Sequence, residues 1–202
     1  MIGNIGKMLL GVSPREQLTI ARILKVNHAG EHGAIQIYSA QIAIARHLYP
    51  EIVPTLHGML CHEIEHRAVF AAAMPSRNAR SCRIMSLWAM GGSLLGFATA
   101  LMGRDAIWMT TAAVEAAVHR HLDDQLHFLW KRDLGLHNAI ASIREEELSH
   151  LRTAEANISR ERRLLSVLRS TISTLTDALI WLSTWGDSTR MARDLERNKR
   201  LV

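Results

Sequence analysis

The sequence predicts an all-α protein, and three observations carry that prediction. It has only four prolines, and Phe, Trp and Tyr make up just 5% of 202 residues, whereas the helix-favouring residues Ala, Leu, Ile and Met are abundant. Apolar residues recur at helical spacing in long runs separated by a few Pro- or Gly-marked breaks. No segment shows the two-residue alternation with tight turns that a sheet requires. The length suits one domain, residues 1–202, with a core of its own.

Each element follows from local signals. "SPRE" starts the first helix, with Ser13 as cap, Pro14 in the first helical position and Glu16 closing a capping box. The pattern runs to about His47 and stops at "LYP". A second helix spans roughly 51–73, with Pro54 tolerated in its first turn and Pro75 ending it. Residues 84–103 carry no charge between Arg83 and Arg104, which is long enough to span a bilayer. Its paired glycines and hydroxyl residues make it weakly apolar for a span, so the preferred reading is a buried or interfacial crossover helix. Helices are expected from about 105 to 132, from about 138 to 157 after the break "DLGLHN", and from about 160 to 185. The charge-dense end, about 186–202, is either a surface helix or a frayed tail.

Charge and cysteine content narrow the function classes. The net charge is +5 and the isoelectric point near 9.8, a balance that suits nucleic acid or anionic lipid. No zinc-finger spacing or aromatic-interleaved basic strand is present, so no nucleic-acid partner is expected. A mean hydropathy of +0.02 alongside 21% charged residues favours lipid. Cys61 and Cys82 form neither a disulfide framework nor a metal knuckle, which points to a reducing compartment. The opening "MIGNIGKMLLGVSPRE" has the features of neither a secretory signal nor a transit peptide. Met8, Leu9 and Leu10 are a candidate membrane foot, against the default of a flexible terminus.

The chemistry-bearing residues form a pattern. Glu-x-x-His occurs as Glu63 with His66 and as Glu147 with His150, and at i, i+3 both members of a pair share one helix face. Two such pairs alone are weak evidence. Glu31, however, lies 32 residues before Glu63, and Glu115 lies 32 residues before Glu147. Gln41 and Gln125, each ten residues after its glutamate, extend this register, which implies an internal repeat covering about 14–75 and 104–157. Two helices with a lone Glu and two with Glu-x-x-His are the arrangement by which ferritin-like bundles hold two iron or manganese ions. Four carboxylates balance the charge of a ferrous pair, and two imidazoles leave positions open for dioxygen. The predicted architecture is therefore a ferritin-like four-helix bundle with an apolar crossover helix and an additional C-terminal helix. In "EEELSH" the residue before the motif glutamate is Glu146, which is either a plain solvated acid or the outer partner of an imidazole on a facing helix.

With these residues placed, the sequence resembles the demethoxyubiquinone hydroxylase family, the di-iron monooxygenases of ubiquinone biosynthesis. The resemblance spans about residues 20–183. It is carried by "VNHAGEHGA" with "IYSAQ", by "HEIEHRAVF", by the run from "LWAMGGSLLGFATALMG" through "AVEAAVHRHLDDQL", and by "REEELSH". It implies Glu31, Glu63, His66, Glu115, Glu147 and His150 as ligands of two iron ions. It also implies hydroxylation of a polyprenyl methoxy-benzoquinone ring with dioxygen and electrons from NADH or another donor. Similar proteins sit peripherally on a membrane, facing the cytoplasm of a bacterium or the mitochondrial matrix, and often act with a lipid-binding partner protein. The oligomeric state stays open, a homo-oligomer included.

The chain departs from the family pattern at four places. Leu122 stands where a tyrosine usually follows the third ligand glutamate, Trp181 where a tyrosine is common, Asp177 where a basic residue is expected, and Gln36 where arginine is usual. The tail beyond about Gly186 runs past the usual end. A quinone with an isoprenoid tail requires a site that opens toward the bilayer, and Trp88, Leu94, Leu95 and Phe97 are expected to line that opening. Tyr38, two turns after Glu31, is either near the metals or a core tyrosine. His119 and His121 are read as surface or core histidines, and Cys61 as a small packed hydrophobe. Two other classes compete with the quinone hydroxylase: a different di-metal oxidoreductase, and a non-enzymatic iron-binding or membrane scaffold protein.

Overall fold

A computed structural model of the chain describes residues 11–159 and 163–199; the Met8–Leu10 foot lies outside them. Among the described residues every regular element is helical. In chain order these are α1 (Pro14–Leu48), α2 (Val53–Ala73), α3 (Met85–Met102), α4 (Arg104–Leu129), α5 (Leu134–Asn157), α6 (Arg163–Thr184) and α7 (Asp187–Lys199), with short 3-10 turns at Pro50–Ile52 and Pro75–Arg77.

The start of α1 is the expected capping box: the Ser13 hydroxyl accepts from the Glu16 N–H, and the Glu16 carboxylate accepts from the Ser13 N–H at 2.9 Å. The start of α5 differs from expectation. It begins at Leu134 rather than near Asn138, because Asp133 caps it by accepting from the Leu136 N–H at 3.0 Å. That aspartate is buried and also accepts from Arg77 Nη2 at 2.8 Å, so the turn after α2 and the entry to α5 are locked together. Most of the charge-dense segment, Asp187–Lys199, forms α7. Its first residue, Asp187, is buried and accepts hydrogen bonds from Arg15, Thr19 and Arg22 of α1.

In the bundle, α1 packs along α2 on one side and α3 on the other, and α4 packs along α5 and α6 in the same way. The close fit of α3 on α1 rests on the glycines that made the 84–103 segment look a poor span. A Cβ on Gly92 or Gly96 would fall well inside 3.0 Å of the carbonyl oxygens of Gly33 and Ile37 respectively. Only glycine lets the two backbones approach this closely. The opposite face of α3 is uncovered, with Leu87, Met90, Leu94, Phe97 and Leu101 all exposed. By length and composition α3 passes for a membrane span, yet it is neither wholly buried nor free of the bundle.

Among the described residues the apolar core has two large parts and a small third one around Ala106 and Met109. One large cluster holds Leu24, Phe70, Leu122 and Ile143, and the other holds Tyr38, Met59, Ala112 and Ala154. On each of α1, α2, α4 and α5 a single buried glutamate falls between them: Glu31, Glu63, Glu115 and Glu147. A polar layer therefore cuts across the middle of the bundle.

Candidate metal centre and its cavity

Helical geometry delivers the polar layer. The i, i+3 spacing places Glu63 with His66 on the inward face of α2, and Glu147 with His150 on that of α5. All six residues, Glu31 and Glu115 included, are buried. They fall into two overlapping groups whose ligand-type atoms all lie within 4.8 Å of one another: Glu31, Glu63, His66 and Glu147 in one, Glu63, Glu115, Glu147 and His150 in the other. Glu63 and Glu147 belong to both, while Glu31 belongs to the first alone and Glu115 to the second alone.

Both imidazoles turn the same edge inward. His66 Nδ1 lies 3.0 Å from Glu147 Oε1 and 4.0 Å from Glu31 Oε2. His150 Nδ1 lies 3.3 Å from Glu63 Oε1 and 3.4 Å from Glu147 Oε2. The outward nitrogens have separate partners. His66 Nε2 donates to Glu146 Oε2 at 3.1 Å, which makes Glu146 the outer partner rather than a plain solvated acid. His150 Nε2 lies 2.9 Å from Nδ1 of His62. Tyr38 is buried and donates its hydroxyl to Glu115 Oε1 at 2.8 Å.

Electrostatics show what this layer needs. Burial, reinforced by the neighbouring Glu63 carboxylate, raises Glu31 well above the ordinary carboxylate range. Burial together with the charges of Glu147 and Glu63 does the same to Glu115. Burial also raises the Tyr38 hydroxyl, and the adjacent Glu115 adds to it. For Glu147 burial works in the opposite sense to the outcome, because contacts with His150 and His66 hold it below the usual range. Burial likewise opposes a charged His150, and Glu147 and Glu63 outweigh it, pushing this imidazole up to about 9; His66 is raised for the same reasons.

Four buried carboxylates face two inward nitrogens, and Glu63 Oε1, Glu147 Oε2 and His150 Nδ1 have no hydrogen-bond partner. Since His66 gives its Nε2 proton to Glu146, the Nδ1 lone pair meets a carboxylate oxygen at 3.0 Å unless a proton or a cation lies between them. The donor set, oxygen-rich with one imidazole per group, suits a divalent transition metal. These residues fit a pair of such ions.

The layer opens into an apolar cavity of about 360 Å3 between α1, α3, α4 and α6. Glu31, Glu63, Glu115 and Glu147 form its polar floor, and Gly33, Trp88, Leu95, Leu122, Leu175 and Leu179 are among its walls. Of the four residues expected at the opening, Trp88 and Leu95 line it. Leu94 and Phe97 instead point away and are exposed, because the helical turn carries them onto the outer face of α3. Of the four departures from the family pattern, only Leu122 lines this cavity. Asp177 binds Arg120 at 3.1 Å and His121 Nε2 at 3.0 Å; Gln36 accepts from Ser93 at 3.5 Å across the α1–α3 contact. Trp181 is half-exposed on α6.

The remaining candidates lie outside the metal groups. His121 lines the cavity, while His119 Nε2 lies 4.0 Å from Asp123 on the same helix. Cys61 is exposed rather than packed, because it sits opposite the inward face of α2. The residue that sequence reasoning passed over is His62. Its signal was the position immediately before Glu63, the same position that Glu146 holds before Glu147.

The chain is similar to known proteins of one family. The family described as "Ubiquinone biosynthesis protein COQ7" matches residues 18–183. A 3-demethoxyubiquinol 3-hydroxylase of Rhodospirillum rubrum is 36% identical over 170 residues, covering 84% of this chain and 80% of the relative. A mitochondrial NADPH-dependent 3-demethoxyubiquinone 3-hydroxylase of Dictyostelium discoideum is 32% identical, over 90% of this chain and 85% of its own. The mitochondrial 5-demethoxyubiquinone hydroxylase of Saccharomyces cerevisiae is 30% identical, over 84% and 79%. With a match over most of its length and relatives above 30% identity, the chain belongs to the COQ7 family of ubiquinone biosynthesis proteins.

Proposed function

We propose that this chain is a di-iron monooxygenase that hydroxylates the ring of demethoxyubiquinone or its quinol, with Glu31, Glu63, His66, Glu115, Glu147 and His150 holding the two iron ions. The observation that carries the reading is the juxtaposition of six buried, convergent carboxylate and imidazole groups with an apolar cavity whose floor the four carboxylates form. The relatives' names supply the substrate class.

The bound iron pair supplies dioxygen activation and two-electron chemistry that side chains cannot. Net turnover places one oxygen atom on the ring carbon in place of hydrogen and releases the other as water, consuming two electrons from a reduced pyridine nucleotide or another donor. The chain's own residues do the rest. Tyr38 holds Glu115 by its 2.8 Å hydrogen bond, and Glu146 fixes the tautomer of His66 so that its Nδ1 is free to bind. The cavity walls exclude water and orient a flat ring over the carboxylate floor.

The cavity mouth supports a peripheral membrane location. Its flanking helices α3 and α6 expose Leu94, Phe97, Leu101, Leu175 and Leu182, and Trp185, just past the end of α6, is 74% exposed. Exposed Arg80 and Arg83 stand just before α3, suited to anionic headgroups. An isoprenoid tail then passes directly between bilayer and cavity, and the same apolar rim is where a lipid-binding partner protein would meet the chain.

The test is complementation of a strain unable to hydroxylate demethoxyubiquinone, read by its quinone profile, together with the iron content of the purified protein. Restored ubiquinone with two irons per chain, both effects lost in Glu115→Ala, is the expected result. A protein that purifies without metal and leaves demethoxyubiquinone unconverted defeats the reading.

A further inference from the structure

We propose that His62 is a positioning residue for one half of the centre: its Nδ1 accepts the Nε2 proton of His150, holding His150 Nδ1 toward Glu63 and Glu147, and this makes the His150 half the weaker of two unequal iron sites. The inference rests on the metal-binding reading above and concerns the residues that orient the ligands.

Both halves turn an imidazole Nδ1 to the carboxylate layer, His66 at 3.0 Å from Glu147 and His150 at 3.3 Å from Glu63, and they differ in the kind of outer partner. Each inward imidazole presents Nδ1 to the shared carboxylates and turns Nε2 toward the residue preceding the other helix's motif glutamate. From α5, Glu146 reaches His66 at 3.1 Å; from α2, His62 reaches His150 at 2.9 Å, its ring plane only 5° from that of His150. A metal-binding His150 Nδ1 has no proton there, so Nε2 carries it. Nδ1 of His62 is then the acceptor, and the His62 proton sits on Nε2.

The chemical difference follows from the acceptors. A carboxylate draws the imidazole proton strongly and makes His66 a more electron-rich ligand, while a neutral imidazole does so less. Removing the acceptor frees the His150 ring to rotate or change tautomer. Because His62 itself is exposed, its replacement leaves the core packing untouched.

The experiment uses the full-length iron-loaded protein, challenged anaerobically under reducing conditions with increasing chelator while retained iron is counted and Mössbauer spectra are recorded. In the wild type the two irons leave in two steps. In His62→Ala one iron leaves at roughly tenfold to hundredfold lower chelator concentration and the other at the wild-type concentration, with only one of the two iron environments altered. His62→Gln, whose side-chain oxygen can accept the same proton, restores most of the loss. In Glu146→Ala the more tightly held iron is the one weakened. The inference is overturned if His62→Ala releases both irons as the wild type does, or weakens both equally. A wild-type protein that binds two irons while His62→Ala changes nothing sinks this inference and leaves the proposed function standing; a wild type that holds no iron sinks both.

Discussion

The glycines of α3 make a demanding prediction because two of them are adjacent and differ in surroundings. A Cβ on Gly92 would sit well inside 3.0 Å of the Gly33 carbonyl oxygen, 3.1 Å from Gln36 Cβ and 3.2 Å from the Gly33 carbonyl carbon. The obstacle is largely backbone, which cannot swing away, so the helices must part. A Cβ on Gly91 meets nothing within 4 Å. Replacing either glycine by alanine within a helix gains about 1 kcal/mol of propensity. That gain cancels when the two variants are compared, leaving the overpacking cost at Gly92, about 1–3 kcal/mol. At about 2–4 °C per kcal/mol for a chain of this size, Gly92→Ala should melt roughly 2–12 °C below Gly91→Ala. Thermal unfolding of the iron-loaded proteins, followed by circular dichroism at one protein concentration, measures the difference. The displaced α3 also carries Trp88 and Leu95, so cavity shape and turnover should suffer in Gly92→Ala. Equal melting temperatures would refute the close backbone contact and, with it, the account of how α3 forms the cavity wall.

Three other outcomes follow from the same geometry. In the iron-free protein the raised values of Glu31 and Glu115, and of His150 at about 9, mean that the folded state binds protons more tightly than the unfolded chain. Its stability contribution from these groups is therefore present at low pH and is lost as pH rises, for His150 between its ordinary 6.5 and about 9. Glu147, held low, acts oppositely and loses its contribution on acidification below the ordinary carboxylate range. The iron-free melting temperature should thus fall from pH 6.5 to 9 while the iron-loaded one stays level, and iron uptake should release protons; a level iron-free curve contradicts the assignment. Asp133→Ala removes the α5 cap and strands Arg77, costing about 2–4 kcal/mol, measurable by urea unfolding; a loss below about 0.5 kcal/mol would show that the α2–α5 lock is idle. Leu95→Trp fills the cavity without touching the polar floor, so kcat/KM for the quinone should drop at least about tenfold, or about 1.4 kcal/mol, with iron content unchanged. Parallel loss of iron would show that wall and floor are not separable.

Much of the fold and of the candidate site was legible because it depends on local geometry. Helical periodicity, the Ser13–Glu16 box and the prolines set the helices of the first half to within a few residues. The i, i+3 spacing puts Glu63 with His66 and Glu147 with His150 on single faces whatever surrounds them, and the matched 32-residue offsets singled out Glu31 and Glu115 from the other acids. Even the outer role of Glu146 could be anticipated from its register. The family resemblance added the substrate class, which no periodicity contains.

What the sequence by itself determined, then, is which residues share a helix face, because that is settled within one or two turns of chain. Which faces meet, and how closely, only the tertiary structure decided. Gly92 and Gly96 read as flaws in an apolar run until α1 lies against them, and Leu94 and Phe97 read as cavity lining until the packing turns them outward. Asp133 caps α5 in a stretch that looked like a break, since its charge is held by Arg77 from another part of the chain. His62 gains a partner only when α5 brings His150 within 2.9 Å. Distances between helices arise from the summed shapes of many side chains, and no local window of sequence contains that sum.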